Sequence, residues 1–282
     1  ESYTKEVIYF FEQVTGHLIP DFRFALKHGL KALINEMKNK EGNGYKAFVI
    51  ALEAACDLAA RYEKLAREKA EALPEPQKSQ FILMADTLKK VPFNGAENLY
   101  EAIQSFIILW QMMCLEQAPI PFAFSVGNAD RIFEPYRNGL DRDETAALFK
   151  HFLVFFNVAD RSWAISQNII VSGRSVCGED LTNPTTYALL DAYYDMNLPQ
   201  PILSVKLHKN TPEKLYRELG RFFFSPGVLT PSMFNDDALF ETLGSHGVDK
   251  DDLPDIAIAG CQEPLIMGED NANTTNSWFN LP

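Results

Sequence analysis

From about residue 122 onward the chain alternates short apolar runs with helix-patterned segments, and that alternation limits the folds open to it. Candidate strands lie at 122–126, 164–171, 202–207, 229–234 and 256–259. Candidate helices at 142–158, 184–194, 212–224 and 237–243 fall between them. Strand–helix alternation of this kind predicts crossover connections, hence a mainly parallel sheet or barrel of the α/β class. The first part of the chain reads differently. Segments 5–14, 22–40 and 45–73 carry apolar residues three and four apart, with Lys and Glu between them, as amphipathic helices do. Gly42-Asn-Gly44 and Pro74-Glu-Pro76 punctuate that pattern. A further helix is predicted over 77–90, and Asn94 as the N-cap of another running through Glu116. The expected organisation is a mainly helical part over 1–120 and an α/β part over 121–282.

The chemistry concentrates near the end, in Asp255-Ile-Ala-Ile-Ala-Gly260-Cys261-Gln262-Glu263-Pro264. An apolar run stops at a glycine, a thiol follows, a carboxylate sits two residues on, and a proline closes the segment. Thiol and carboxylic acid are thus placed on the turn leaving a buried strand, where parallel α/β folds usually hold their chemistry. An unpaired cysteine alone is more often a small buried hydrophobe. A carboxylate beside a buried strand end needs a reason, and Glu263 supplies the argument that Cys261 is functional.

Gly-Cys-x-Glu-Pro in this setting resembles the thiyl-radical loop of the glycyl radical enzymes, the pyruvate formate-lyase-like superfamily. The resemblance runs through most of the chain in the family's order. Thr15-Gly-His-Leu-Ile-Pro-Asp21 is similar to the family's TGHxxPD segment, and Ser125-Val-Gly-Asn-Ala-Asp130 with Pro135-Tyr136 to SxGRxDxxxxPYY. Gly178-Glu-Asp-Leu-Thr-Asn183 with Thr186-Tyr187 resembles GxDATNELTY. Leu198-Pro-Gln-Pro-Ile-Leu-Ser-Val205 resembles LPQPNLSVR, Pro231-Ser-Met-Phe-Asn-Asp236 resembles PALFND, and Asn280-Leu-Pro282 the start of NLPKxLE. Two positions depart: the family's Arg after Ser-x-Gly is Asn128 here, and the Arg after Leu-Ser-Val is Lys206. An anion-clamping role at either place is therefore not expected.

The resemblance implies a ten-stranded α/β barrel of two five-stranded halves, with the thiyl cysteine on a loop threaded into its centre. It implies a radical lyase in which Cys261 takes a hydrogen from a small polar substrate and Glu263 moves a proton. Gln262 stands where the formate acetyltransferases place a second cysteine, so their acyl transfer is not supported. Eliminating enzymes, such as dehydratases and C–N or C–S lyases, and arylacetate-type decarboxylases both remain open. Ser125, Asn271, Thr274, Trp278 and Phe279 are the candidate substrate contacts. The Asn/Thr-rich stretch after the loop reads equally well as a plain loop capping a helix. The five histidines lack metal-ligand spacing and read as ordinary core or surface residues. Asp180, Thr182, Asn183 and Asp236 read as helix caps and loop ties.

No metal or organic cofactor is expected on this chain. The glycyl radical would lie outside it, installed by an iron–sulfur, S-adenosylmethionine-dependent activating enzyme. That enzyme, a small-molecule substrate, the remainder of a longer enzyme and a second copy in a homodimer are the implied partners. Both ends read as interior to a longer protein, and the competing expectation is a truncated or split subunit without chemistry. A net charge of −12 argues against nucleic acid or an anionic membrane surface. The most apolar run, 106–115, contains Gln111 and is too short to span a bilayer. The opening Glu1-Ser-Tyr-Thr-Lys5 is charged and does not read as a signal peptide. Four widely spaced cysteines fit neither a zinc site nor a disulfide scaffold, so a reducing cytoplasm is expected.

Overall fold

The computed structural model of the chain describes residues 16–116, 123–158, 166–260 and 262–270. Two compact units divide them: Phe22–Met113, and a second made from the segments on either side, through residue 21 and from Cys114 onward.

The first unit is helical: α1 (Phe22–Lys38), α2 (Asn43–Glu71), α3 (Gln77–Leu88) and α4 (Leu99–Glu116). Leu30, Ile34 and Ala55 pack with Leu109 and Met112, and Ala59, Leu88 and Ile108 form a second cluster. The pattern over 22–40 predicts one uninterrupted helix, but the chain breaks it at Gly29, where φ is +71°. There the N–H groups of Leu30 and Lys31 donate to the carbonyls of Pro92 and Phe93 at 2.9 and 3.0 Å. A Cβ on Gly29 would lie 2.3 Å from the Phe93 oxygen, so only glycine admits this approach. The expected cap Asn94 is also displaced. The helix begins at Leu99, and Asn98 Oδ1 accepts from Glu101 N at 3.0 Å in the geometry of an N-cap.

The second unit holds a four-stranded parallel sheet in chain order: β1 (Gly127–Asn128), β2 (Asn168–Ser172), β3 (Ile202–Leu207) and β4 (Ser232–Asn235). Ile169 lies opposite Leu203, and Val205 opposite Met233. All five residues of β2 are buried, as expected of a parallel strand covered on both faces. The helices α5 (Ala129–Phe133), α6 (Arg142–Val158), α7 (Pro184–Met196), α8 (Glu213–Phe224) and α9 (Asp236–Ser245) occupy the connections. Asn183 and Thr186 form a capping box at the start of α7. On the outer side of β1, Leu18 bridges Phe124 in parallel and its carbonyl accepts from Ser125 N at 2.9 Å.

The segment carrying the thiol and the carboxylate departs from expectation. β5 (Ile256–Ala259) is not a member of the parallel sheet. It pairs antiparallel with β6 (Glu263–Ile266), Ile256 opposite Ile266 and Ala259 opposite Glu263. Glu263 and Pro264, read from sequence as loop, open a strand. The physical reason is that β5 is an apolar four-residue strand buried throughout, and the returning segment supplies a ladder for its backbone groups. The result is a two-stranded finger with Gly260 and Gln262 at its tip.

Candidate active site

The finger's direction follows from its contacts with the sheet. At its base, Asn128, the last residue of β1, donates from Nδ2 to the carbonyls of Asp255 and Ile256, both at 3.3 Å. At its tip, Asn168, the first residue of β2, donates from Nδ2 to the Gly260 carbonyl at 3.2 Å. β5 therefore runs against the sheet's strand direction, and its tip reaches the amino ends of the strands. The sequence placed the chemistry at the carboxyl end, on the assumption that β5 was a sheet strand. The carboxyl ends of β3 and β4 instead border a separate cleft of ≈ 450 Å³ lined by His208, Lys209, Asn235 and Asp237. Neither Ser125 nor Glu263, the predicted site residues among those described, lines it.

At the tip, Glu263 Oε2 lies 3.1 Å from His17 Nδ1. The imidazole is 7% exposed and the carboxylate 35%. His17 has φ +58°, an unusual backbone for a non-glycine residue, and it turns the ring toward the finger. Gly260, φ +56°, makes the close approach possible. A Cβ there would lie 2.7 Å from His17 Cε1 and 2.8 Å from Glu263 Oε2. Gln262 is exposed, and its N–H donates to Glu263 Oε2 at 3.3 Å. An imidazole and a carboxylate 3.1 Å apart beside a tight turn set side by side two groups of the kind general acid–base catalysis uses.

Ser125 is buried near the same end. Its Oγ accepts from Asn168 N at 3.1 Å, so one residue links it to the Gly260 carbonyl. Cys261, Asn271, Thr274, Trp278 and Phe279 lie outside the described residues. His17 is the residue that sequence reasoning missed. It stands in the quoted Thr15–Asp21 segment, but nothing local marks that histidine as facing residues some 245 positions away.

A second polar cluster surrounds the finger's base. Lys206, fully buried on β3, donates from Nζ to the carbonyls of Ile256 at 2.9 Å and Pro254 at 3.3 Å, with Asp236 Oδ1 at 3.9 Å. Burial, reinforced by the nearby Arg131 charge, draws its pKa down to about 8 against the pull of Asp236, Asp130 and Asp255. Burial likewise raises the pKa of Asp130, although that carboxylate accepts from Ser172 N at 2.7 Å and Thr186 Oγ1 at 2.6 Å.

A sequence model described as pyruvate formate lyase-like matches residues 2–282. The chain belongs to that family, the glycyl radical enzyme superfamily. Its relatives include the isethionate sulfite-lyase of Bilophila wadsworthia, 25% identical over 93% of this chain and 35% of the relative. The trans-4-hydroxy-L-proline dehydratase of Clostridioides difficile is 27% identical over 91% of this chain and 36% of the relative. Among solved structures, the glycerol-bound B12-independent glycerol dehydratase of Clostridium butyricum superposes with a TM-score of 0.80 at 27% identity, over 90% of this chain and 36% of that one. This pyruvate formate lyase-like chain thus spans about a third of the length of the curated relatives it matches. No helix among its described residues is long and apolar enough to cross a membrane.

Proposed function

We propose that the protein containing this chain is a glycyl radical lyase that eliminates water or another leaving group from a small hydroxylated substrate. The observation that carries this reading is the finger itself. Residue 261 falls between the paired ends Ala259 and Glu263, and Glu263 is held 3.1 Å from His17. Cys261, between Ala259 and Glu263 in sequence, and the Glu263–His17 pair would act on one substrate. A backbone radical outside this chain, installed by an iron–sulfur, S-adenosylmethionine-dependent activating enzyme, would supply the oxidising equivalent to Cys261.

On a vicinal diol the steps balance as follows. The Cys261 thiyl takes a hydrogen atom from a carbinol carbon and becomes S–H. Glu263 removes the hydroxyl proton from the resulting radical, and the adjacent hydroxyl departs as water with one proton supplied by the Glu263–His17 pair. The carbonyl-bearing radical then takes the hydrogen atom back from Cys261, restoring the thiyl. Glu263 returns to its starting protonation, so the sum is loss of one water. Ser125, Asn271 and Thr274 would grip the hydroxyls, and Trp278 and Phe279 would roof the pocket. The lyase and dehydratase names of the relatives support elimination. A barrel completed by the rest of the protein, a helical portion ending near residue 120, a homodimer and a cytoplasmic setting belong to the same proposal.

The test is anaerobic turnover of the activated full-length protein against diols, hydroxyprolines, choline, isethionate and arylacetates, with Glu263→Gln alongside. Elimination from a hydroxylated member, lost in Glu263→Gln while fold and radical persist, is expected. Acetyl transfer to coenzyme A would overturn the reading.

A further inference from the structure

The two positions where this sequence departs from the family's arginines converge on one backbone atom. Asn128 Nδ2 and Lys206 Nζ both donate to the Ile256 carbonyl, at 3.3 and 2.9 Å. Each also takes a second carbonyl of the same turn, Asp255 for Asn128 and Pro254 for Lys206, both at 3.3 Å. A buried ammonium is costly to keep and is retained only where charge and donors are used. Here Asp236 and Asp130 supply compensating charge. The ammonium's donors go to the finger.

We infer that Lys206 and Asn128 are positioning residues: together they clamp the base of the finger and so set the height at which its tip presents Glu263. The mechanics are simple. The finger has only four residue pairs of its own, and an isolated two-stranded hairpin is marginal in water. From Ile256 to Gly260 the strand spans about 14 Å at the usual rise. The Asn168 side chain holds the far end through one bond to the Gly260 carbonyl. Fixing both ends fixes the register of everything between. Freeing the base lets the strand slide or tilt, and displacements of about 1 Å at a reacting centre cost about a hundredfold in rate.

The catalytic half of this inference rests on the radical-lyase reading; the mechanical half does not. The test uses the full-length protein with Lys206→Met and Asn128→Ala, the second because it leaves no buried charge behind if the first folds poorly. Two things are measured. One is amide hydrogen exchange of the finger against exchange of the β2–β3 ladder. The other is kcat, KM and glycyl radical content by electron paramagnetic resonance. Expected is exchange at least about tenfold faster in the finger with the β2–β3 ladder unchanged, and kcat lowered about tenfold or more with KM and radical content within about twofold. Unchanged finger exchange overturns the clamp, as does a kcat loss that merely tracks loss of radical or of folded protein. A wild-type protein that takes up no radical would sink the lyase reading, and the exchange measurement would still decide the clamp.

Discussion

Gly260→Ala separates the cost of a strained backbone from the cost of displacing the proton-moving pair. At φ +56° an alanine pays the left-handed penalty of about 1–2 kcal/mol, partly offset by a less flexible unfolded chain. The larger consequence is steric. The new Cβ would sit 2.7 Å from His17 Cε1, 2.8 Å from Glu263 Oε2 and 3.0 Å from His17 Nδ1. Ordinary contact between carbon atoms begins near about 3.5 Å, so ring or finger must give by about 0.8 Å. The imidazole is buried, so the finger tip and Glu263 move. A shift of that size at a reacting centre corresponds to a loss of about 10- to 100-fold in kcat. Gly139→Ala is the control: its φ is +82° but nothing lies within 4 Å of the added Cβ. Gly139→Ala is expected to lose about 1 kcal/mol, or about 2–4 °C in Tm, by thermal melting, and Gly260→Ala more, because its overpacked contacts add about 1–3 kcal/mol. Only Gly260→Ala is expected to lose turnover. Equal turnover in the two variants would refute the claim that Glu263 and His17 form the working pair.

Other expectations follow from the same contacts. Asn183→Ala removes the side chain that accepts from Thr186 N at 3.2 Å and should cost about 1 kcal/mol in urea unfolding. A change below about 0.3 kcal/mol would mean that the capping box contributes nothing. Lys206 titrates near 8 when folded, because burial and the Arg131 charge disfavour its proton more than Asp236, Asp130 and Asp255 favour it. The folded chain thus releases that proton first. Between about pH 8 and 10.5 the unfolded state binds more protons, and stability should rise with pH relative to Lys206→Met, by up to about 3 kcal/mol. Urea midpoints of the two proteins across that range check it, and parallel pH curves would contradict it.

What the sequence makes legible is set by how local the cause is. Helices such as α6, read over 142–158, carry their own periodicity and capping, and the structure places α6 at Arg142–Val158. The strands at 202–207 and 256–259 are likewise bounded by their own composition. Which neighbour a strand pairs with is not local. β5 looks like a parallel-sheet strand, yet its partner is the segment beginning at Glu263, and that exchange moves the tip to the opposite end of the sheet. Gly29 interrupts a good helical pattern because of carbonyls some 64 residues later. Within the site, Glu263 stands out because an acid beside an apolar strand is locally anomalous. His17 is an ordinary histidine until Gly260 lets the finger reach it. Lys206 and Asn128 read as lost anion ligands, and only the fold reveals that their donors serve the finger's backbone.

The measurement that tests the central claim most directly is made on Cys261→Ala in the activated full-length protein. Glycyl radical content is read by electron paramagnetic resonance, beside turnover of a substrate the wild type accepts. The account expects a radical signal comparable to wild type and no turnover, because the radical would be installed elsewhere and Cys261 alone would pass it to substrate. Residual turnover by a radical-loaded Cys261→Ala protein would contradict it.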